Sequence, residues 1–148
     1  AAAVMKRKPA VLKKIIERSV AVKLKIVKKD EKESVGKIHG SSRMLLNYGH
    51  TVGHALEKLS HYSLPHGEAV AIGMVAENRV AVGKNFLKRG DAEKIISLLK
   101  RVKLPVAIPK EFSGNDINKA MALDKKHVDG KLYFSLPMKI GKAKVITV

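Results

Sequence analysis

The chain has 148 residues, 30 of them Lys or Arg and 13 Asp or Glu, giving a formal net charge of +17, with 45% hydrophobic residues and no cysteine. That length suits one compact domain with a real core, and the lack of cysteine excludes disulfides, thiolate metal sites and cysteine nucleophiles, so a metal must be held by histidine, carboxylate or water. The longest apolar run, residues 69–76, falls far short of the ~18 residues of a membrane span, and residues 1–5 are too few for a signal segment, so the expected location is cytoplasmic.

Pro9 is followed by Leu12, Ile15, Ile16, Val20, Leu24 and Val27 at spacings of three and four, with Lys and Arg between them. This predicts an amphipathic helix of about five turns. The charged cluster at 28–33 and the Gly- and Ser-bearing stretch at 34–42 read as a loop. A second helix is predicted to start at Ser41 or Ser42 as N-cap and to run to Leu59. A short connection over 61–65 leads to a third helix over 66–82, apolar almost all round and therefore buried. Asp91 is expected to cap a fourth helix carrying Ile95, Ile96, Leu99 and Val102, ended by Leu104-Pro105. A short helix is expected over 116–124, and two short strands over 131–136 and 142–148, joined around Gly141. The fold class is mainly α, multihelical with a small C-terminal β element, and residues 1–148 form a single domain.

The basic excess sits at the two ends. Residues 1–33 hold 11 basic and 4 acidic side chains and residues 84–148 hold 15 and 6, against 4 and 3 in between. One reading of the charge is a basic helical nucleic-acid-binding protein. Against it, 24 of the basic residues are Lys, whereas base-edge and bidentate phosphate recognition leans on Arg. Three Phe, three Tyr and no Trp also offer few stacking platforms. A solvated lysine-rich surface accounts for the charge more simply.

The six histidines carry the interest. On a continuous helix over 41–59, Arg43, Asn47, His50 and His54 project from one arc of about 60°. Leu45, Val52, Leu56 and Leu59 form the opposite, core-facing stripe, and Gly49 and Gly53 lie on a flank where another helix can approach. Histidines at i and i+4 can both bind a divalent metal, although Thr51, Val52 and Gly53 between them lack the glutamate of a zinc protease. Arg43 is a rigid anion fork, Asn47 a neutral donor and acceptor, and His66 opens the buried helix near its positive dipole end. Together they point to a pocket for a metal and an anion, with hydrogen-bonded packing histidines as the structural alternative.

The segment from Leu46 to Ala55, LNYGHTVGHA, followed by HGEAVAIGM from His66 to Met74, resembles the signature of the dehydroquinate synthase family. Lys23 followed by Asp30-Glu31-Lys32-Glu33 is similar to the family's Lys segment and Asp-Glu-x-Glu motif. Met121-Ala-Leu-Asp-Lys-Lys126, Gly130-Lys131, Leu136-Pro137 and Ile140-Gly141 resemble its closing pattern. The resemblance implies a C-terminal metal- and substrate-binding domain in which His50 and His66 are metal ligands for zinc or cobalt. It also implies that His54 and Glu33 transfer protons. Lys23, Arg43, Asn47 and one of Lys125 or Lys126 would bind an anionic sugar-acid phosphate. The implied reaction converts 3-deoxy-D-arabino-heptulosonate 7-phosphate to 3-dehydroquinate with elimination of phosphate, using catalytic NAD. A related sugar-phosphate cyclase or metal-dependent polyol dehydrogenase is the neighbouring alternative.

The chain departs from that family in two ways. It is about half the family's length and has no Gly-rich nucleotide-binding turn, so the NAD-binding N-terminal domain, and with it the family's third metal ligand, a glutamate, is expected to be absent from this chain. Glu57, Glu68 and Glu77 could be proposed as substitutes, but Glu57 falls one turn past His54 on the predicted histidine helix and the other two match no family precedent. Ten residues also separate Glu33 from Arg43, where the family has about four, which reads as a loop insertion around His39. The chain alone is expected to be inactive. The resemblance further implies a homodimer and no membrane partner.

Overall fold

The computed structural model describes residues 1–31, 43–125 and 132–147. The elements are α1 (Ala2–Met5), α2 (Pro9–Val27), a 3₁₀ helix (Arg43–Asn47), α3 (His50–Leu59), α4 (His66–Gly83), α5 (Arg89–Arg101), α6 (Gly114–Lys125), β1 (Tyr133–Lys139) and β2 (Lys142–Thr147). The architecture is mainly α with a small β hairpin, as the apolar periodicity predicts. β1 and β2 pair antiparallel from Tyr133 opposite Thr147 to Lys139 opposite Lys142. The chain reverses at Gly141, whose φ of +86° suits glycine. Among the described residues, no helix is long and apolar enough to cross a membrane.

α4 is the central element. Ala69, Ile72 and Ala81 join Val52, Ala55 and Leu56 of α3, Ile117, Ala120 and Met121 of α6, and Phe134 and Leu136 of β1 in one core. Ala71 and Val75, on its other side, meet Leu99 of α5. Burial on two sides is what an all-round apolar helix requires. At α6, Asp116 N–H donates to Ser113 Oγ at 3.1 Å and Ser113 N–H to Asp116 Oδ2 at 3.2 Å, a reciprocal cap; the Ser113 hydroxyl, also donating to Asp116 Oδ2, and then the Ser113 N–H lower the Asp116 pKa.

Two expectations need correction. The continuous helix over 41–59 is broken: a 3₁₀ helix ends at Asn47, Gly49 adopts φ +84° as N-cap, and α3 starts at His50. The cause is the crossing with α4. A Cβ on Gly73 would lie 2.0 Å from the Gly49 carbonyl oxygen and 2.9 Å from Gly53 N, and one on Gly53 would lie 3.2 Å from Val70 Cα. The backbones therefore touch, and the left-handed turn at Gly49 seats its carbonyl in that contact. The single arc joining Arg43 and Asn47 to the histidines consequently does not exist as a helix face, although His50 and His54 still share one.

Second, α5 begins at Arg89 behind an extended Lys88. Asp91 lies inside its first turn, where it accepts from Lys94 Nζ at 3.0 Å instead of capping; a carboxylate in that turn still opposes the dipole favourably. α2 forms over its predicted residues; it contains no buried residue, and Ile15, Ile16, Val20 and Leu24 are exposed. The expected N-caps Ser41 and Ser42 lie outside the described residues. Either side of them, buried Asp30 accepts the Arg43 N–H at 3.0 Å, and Arg43 Nη1 donates to the Glu31 carbonyl at 3.3 Å.

Replacing Gly73 by Ala should force the two helix backbones apart and destabilise the fold by about 2–3 kcal/mol. Gly83→Ala meets nothing within 4 Å and should change stability by less than about 0.5 kcal/mol. Urea unfolding of the two variants measures the contrast.

Candidate metal centre

The α3–α4 crossing brings three imidazoles together. Ring centroids are 5.4 Å apart for His50 and His54, 5.3 Å for His50 and His66, and 6.2 Å for His54 and His66. His50 and His54 come from successive turns of α3, and His66 is the first residue of α4. Ligand atoms of His54, Glu57 and His66 all lie within 4.8 Å of one another. Imidazole nitrogens with a carboxylate oxygen form a donor set suited to zinc or cobalt.

The hydrogen bonds distinguish the three rings. His66 Nδ1 is 3.1 Å from Glu57 Oε1, and His50 Nδ1 is 3.3 Å from the Tyr48 carbonyl oxygen. A carbonyl can only accept, so Nδ1 of His50 carries the proton and Nε2 is left with its lone pair. A Glu57 carboxylate imposes the same tautomer on a neutral His66. Among the described residues neither ring nitrogen of His54 has a hydrogen-bond partner, and this side chain is exposed. Burial lowers the His50 pKa first. The Tyr48 carbonyl raises it, His54 and His66 lower it, and Glu57 raises it; the net fall favours the neutral ring that a metal requires.

Behind the histidines, α4 carries two buried polar residues. Gly49 N–H donates to Glu77 Oε2 at 2.7 Å, and Tyr48 Oη donates to Asn78 Oδ1 in a short hydrogen bond. Burial pushes the Glu77 carboxyl up to about 7, against the lowering influence of the Gly49, Val52 and Thr51 amides. Burial likewise drives the Tyr48 phenol far above its usual range; the Asn78 bond lowers it and Glu77 raises it. β1 secures the same region: Thr51 Oγ1 donates to the Tyr133 carbonyl at 2.9 Å, and Ser135 Oγ donates to the Met44 carbonyl.

The other candidate residues are placed unevenly. Arg43 and Asn47 occupy the ends of the 3₁₀ helix, one short turn before His50. Lys23 is exposed near the end of α2, and no contact among the described residues joins it to the histidines. Lys125 is the last residue of α6, while Glu33 and Lys126 lie outside the described residues. Tyr48 and Asn78 were not among the candidates, and Glu77 was considered only as a substitute metal ligand. Their signal was the Glu77-Asn78 pair inside an otherwise apolar helix, since a charged and an amide side chain in such a setting need partners.

The family model for the 3-dehydroquinate synthase C-terminal domain matches residues 1–127. The chain belongs to this family. It is 41% identical over 143 residues to the 3-dehydroquinate synthase of Thermodesulfovibrio yellowstonii, covering 96% of this chain and 38% of that protein. It is 36% identical over 148 residues to that of Sulfolobus acidocaldarius, covering 98% and 40%. The chain thus spans about two fifths of the length of these relatives. Among solved structures, 2-epi-5-epi-valiolone synthase from Streptomyces hygroscopicus, with NAD+ and Zn2+ bound, superposes with a TM-score of 0.78 at 22% identity, over 95% of this chain and 37% of that one. A 2-deoxy-scyllo-inosose synthase gives 0.74 at 25% identity, over 95% and 38%. The dehydroquinate-synthase-like fold is therefore that of this family member.

The buried Glu77 makes stability depend on pH. Its folded pKa of about 7 lies above its unfolded value of 4.5, so between these pH values the folded chain holds a proton that the unfolded chain has lost. Stability is favoured below pH 4.5 and declines as pH rises to about 7, by roughly 3 kcal/mol in all. The stability difference between wild type and Glu77→Gln should fall across this window, with the His50 contribution cancelling between them. Denaturant unfolding at a series of pH values checks this, and a constant difference contradicts it.

Proposed function

We propose that this chain is the metal- and substrate-binding half of a 3-dehydroquinate synthase, converting 3-deoxy-D-arabino-heptulosonate 7-phosphate to 3-dehydroquinate with loss of phosphate. What supports the site assignment is that His50 and His66, unlike His54, each have Nδ1 against an acceptor. That is the outer-shell arrangement of metal-binding histidines, with Nε2 free to coordinate. Sequence identities of 36–41% to dehydroquinate synthases, against 22–25% to the two cyclases, favour this reaction over another sugar-phosphate cyclisation or a polyol oxidation. The nucleic-acid reading is left resting on charge alone.

His50 and His66 would hold the zinc or cobalt ion, with Glu57 orienting His66. When bound, the cation supplies Lewis acidity toward a substrate hydroxyl and ketone, and NAD, held mainly by an N-terminal domain outside this chain, supplies reversible hydride acceptance. His54, exposed and without a hydrogen-bond partner among the described residues, would move protons at a bound substrate. Glu33 would be the second proton-transfer group. Arg43 would hold the phosphate in a bidentate grip, and Asn47 would orient the neighbouring hydroxyls. Lys23 and one of Lys125 or Lys126 would neutralise the anionic ends. The homodimer and the cytoplasmic location belong to the same reading.

The clustering of His54, Glu57 and His66 favours a second ligand set, and the same experiment separates the two. Zinc affinity, measured by competition with a chromophoric chelator, should fall about 100-fold or more in His50→Ala and His66→Ala, since ligand loss exceeds the ~10–100-fold of outer-shell changes. His54→Ala should stay within about threefold of wild type; a large loss there with little in His50→Ala would establish the second set. The 148-residue chain, supplied with substrate, NAD+ and zinc, should release no phosphate above background, and robust release would refute the need for an N-terminal half.

A further inference from the structure

Between Asn47 and His50 the chain passes through one peptide unit whose carbonyl belongs to Tyr48 and whose N–H belongs to Gly49. A trans peptide is planar, with its N–H and C=O pointing in opposite directions, so fixing one end fixes the other. At one end the N–H donates to Glu77 Oε2 at 2.7 Å. At the other, the carbonyl meets His50 Nδ1 at 3.3 Å. α4 secures the surroundings as well: Asn78 takes the Tyr48 hydroxyl, and Gly73 leaves room for the Gly49 carbonyl.

We propose that Glu77 is a positioning residue for His50: by holding the N–H end of the Tyr48–Gly49 peptide, it aims the opposite carbonyl at Nδ1 and keeps Nε2 as the unprotonated nitrogen that could hold a metal. The cost of the residue argues for such a role. Glu77 is fully buried, among the alanines, glycine, valine and isoleucine that make up most of α4's other buried positions, where a leucine would fill the space without desolvating a carboxylate. The carboxylate also acts where α3 has no side-chain cap of its own, because its N-cap is Gly49. An ordinary cap would only finish a helix. This one is joined to the histidine's acceptor carbonyl by one hydrogen bond and the three covalent bonds of a rigid amide, so it also selects a tautomer.

The inference rests on the metal-centre reading only for its zinc readout. Long-range 15N–1H correlation spectra of the histidine rings in the metal-free chain report the tautomer of His50, and chelator competition reports zinc affinity. Wild type and Glu77→Gln, whose amide oxygen can still accept from Gly49, should both hold His50 as the Nδ1–H form and bind zinc within about threefold of each other. Glu77→Leu, with wild-type circular dichroism, should show mixed tautomers and bind zinc about tenfold more weakly. A folded Glu77→Leu chain that keeps both the Nδ1–H form and wild-type zinc affinity overturns the proposal. If that variant does not fold, the hydrogen-bond scalar coupling between Gly49 nitrogen and the Glu77 carboxyl carbon decides in wild type: its presence, with the Nδ1–H form retained in Glu77→Gln, supports the proposal, and its absence refutes it. If no variant binds zinc but the tautomer pattern is as expected, the metal centre fails and the positioning role stands.

Discussion

Backbone-to-backbone contact between α3 and α4 is the constraint on which the rest of the molecule depends. Gly73 lies against the carbonyl of Gly49 with no room for a single methyl group. This closeness carries His54 and His66, twelve positions apart on two different helices, to a ring separation of 6.2 Å. The same crossing forces the chain through a left-handed glycine before α3. That turn presents the first amides of α3 to the carboxylate on α4. Glycine in helices costs up to ~1 kcal/mol per residue in intrinsic propensity, a cost offset here by core burial on both helices and by the histidine cluster that the close approach makes possible.

Polar groups beneath the histidines divide into two kinds. Glu57, at the rim, touches an imidazole directly. Glu77, Asn78 and Tyr48, in the interior, act on backbone and on one another. Desolvation pushes the Glu77 carboxyl and the Tyr48 phenol toward their neutral forms, and it does the same to His50. The interior is therefore arranged to carry little net charge behind the ring.

Helix existence was largely legible in the sequence because apolar spacing reports it directly. Pro9–Val27 and His66–Gly83 form almost where the periodicity puts them, and the glycine flank of the histidine segment does receive another helix. The break at Gly49 was not legible. An uninterrupted run of helix-compatible residues leads into it, and the reason for the turn is a contact with a residue 24 positions away. The unburied face of α2 escaped for a related cause, since periodicity identifies an apolar stripe without supplying its partner. In the site, the histidines announced themselves through spacing. Glu57 was read only as a weak substitute ligand, and its contact with His66 depends on how two helices meet.

The bonds from β1 to the histidine region span long stretches of chain: Thr51 to Tyr133 is 82 residues and Ser135 to Met44 is 91. Contacts of such sequence separation close late in folding, after the local helices have formed. The helix pair that bears the imidazoles is built from residues 50–83 alone, while the 3₁₀ helix carrying Arg43 and Asn47 is held from two distant parts of the chain, by Asp30 and Glu31 on one side and by β1 on the other. The histidine cluster and the placement of Arg43 and Asn47 thus depend on different parts of the chain, the first on local helix packing and the second on long-range contacts with the hairpin.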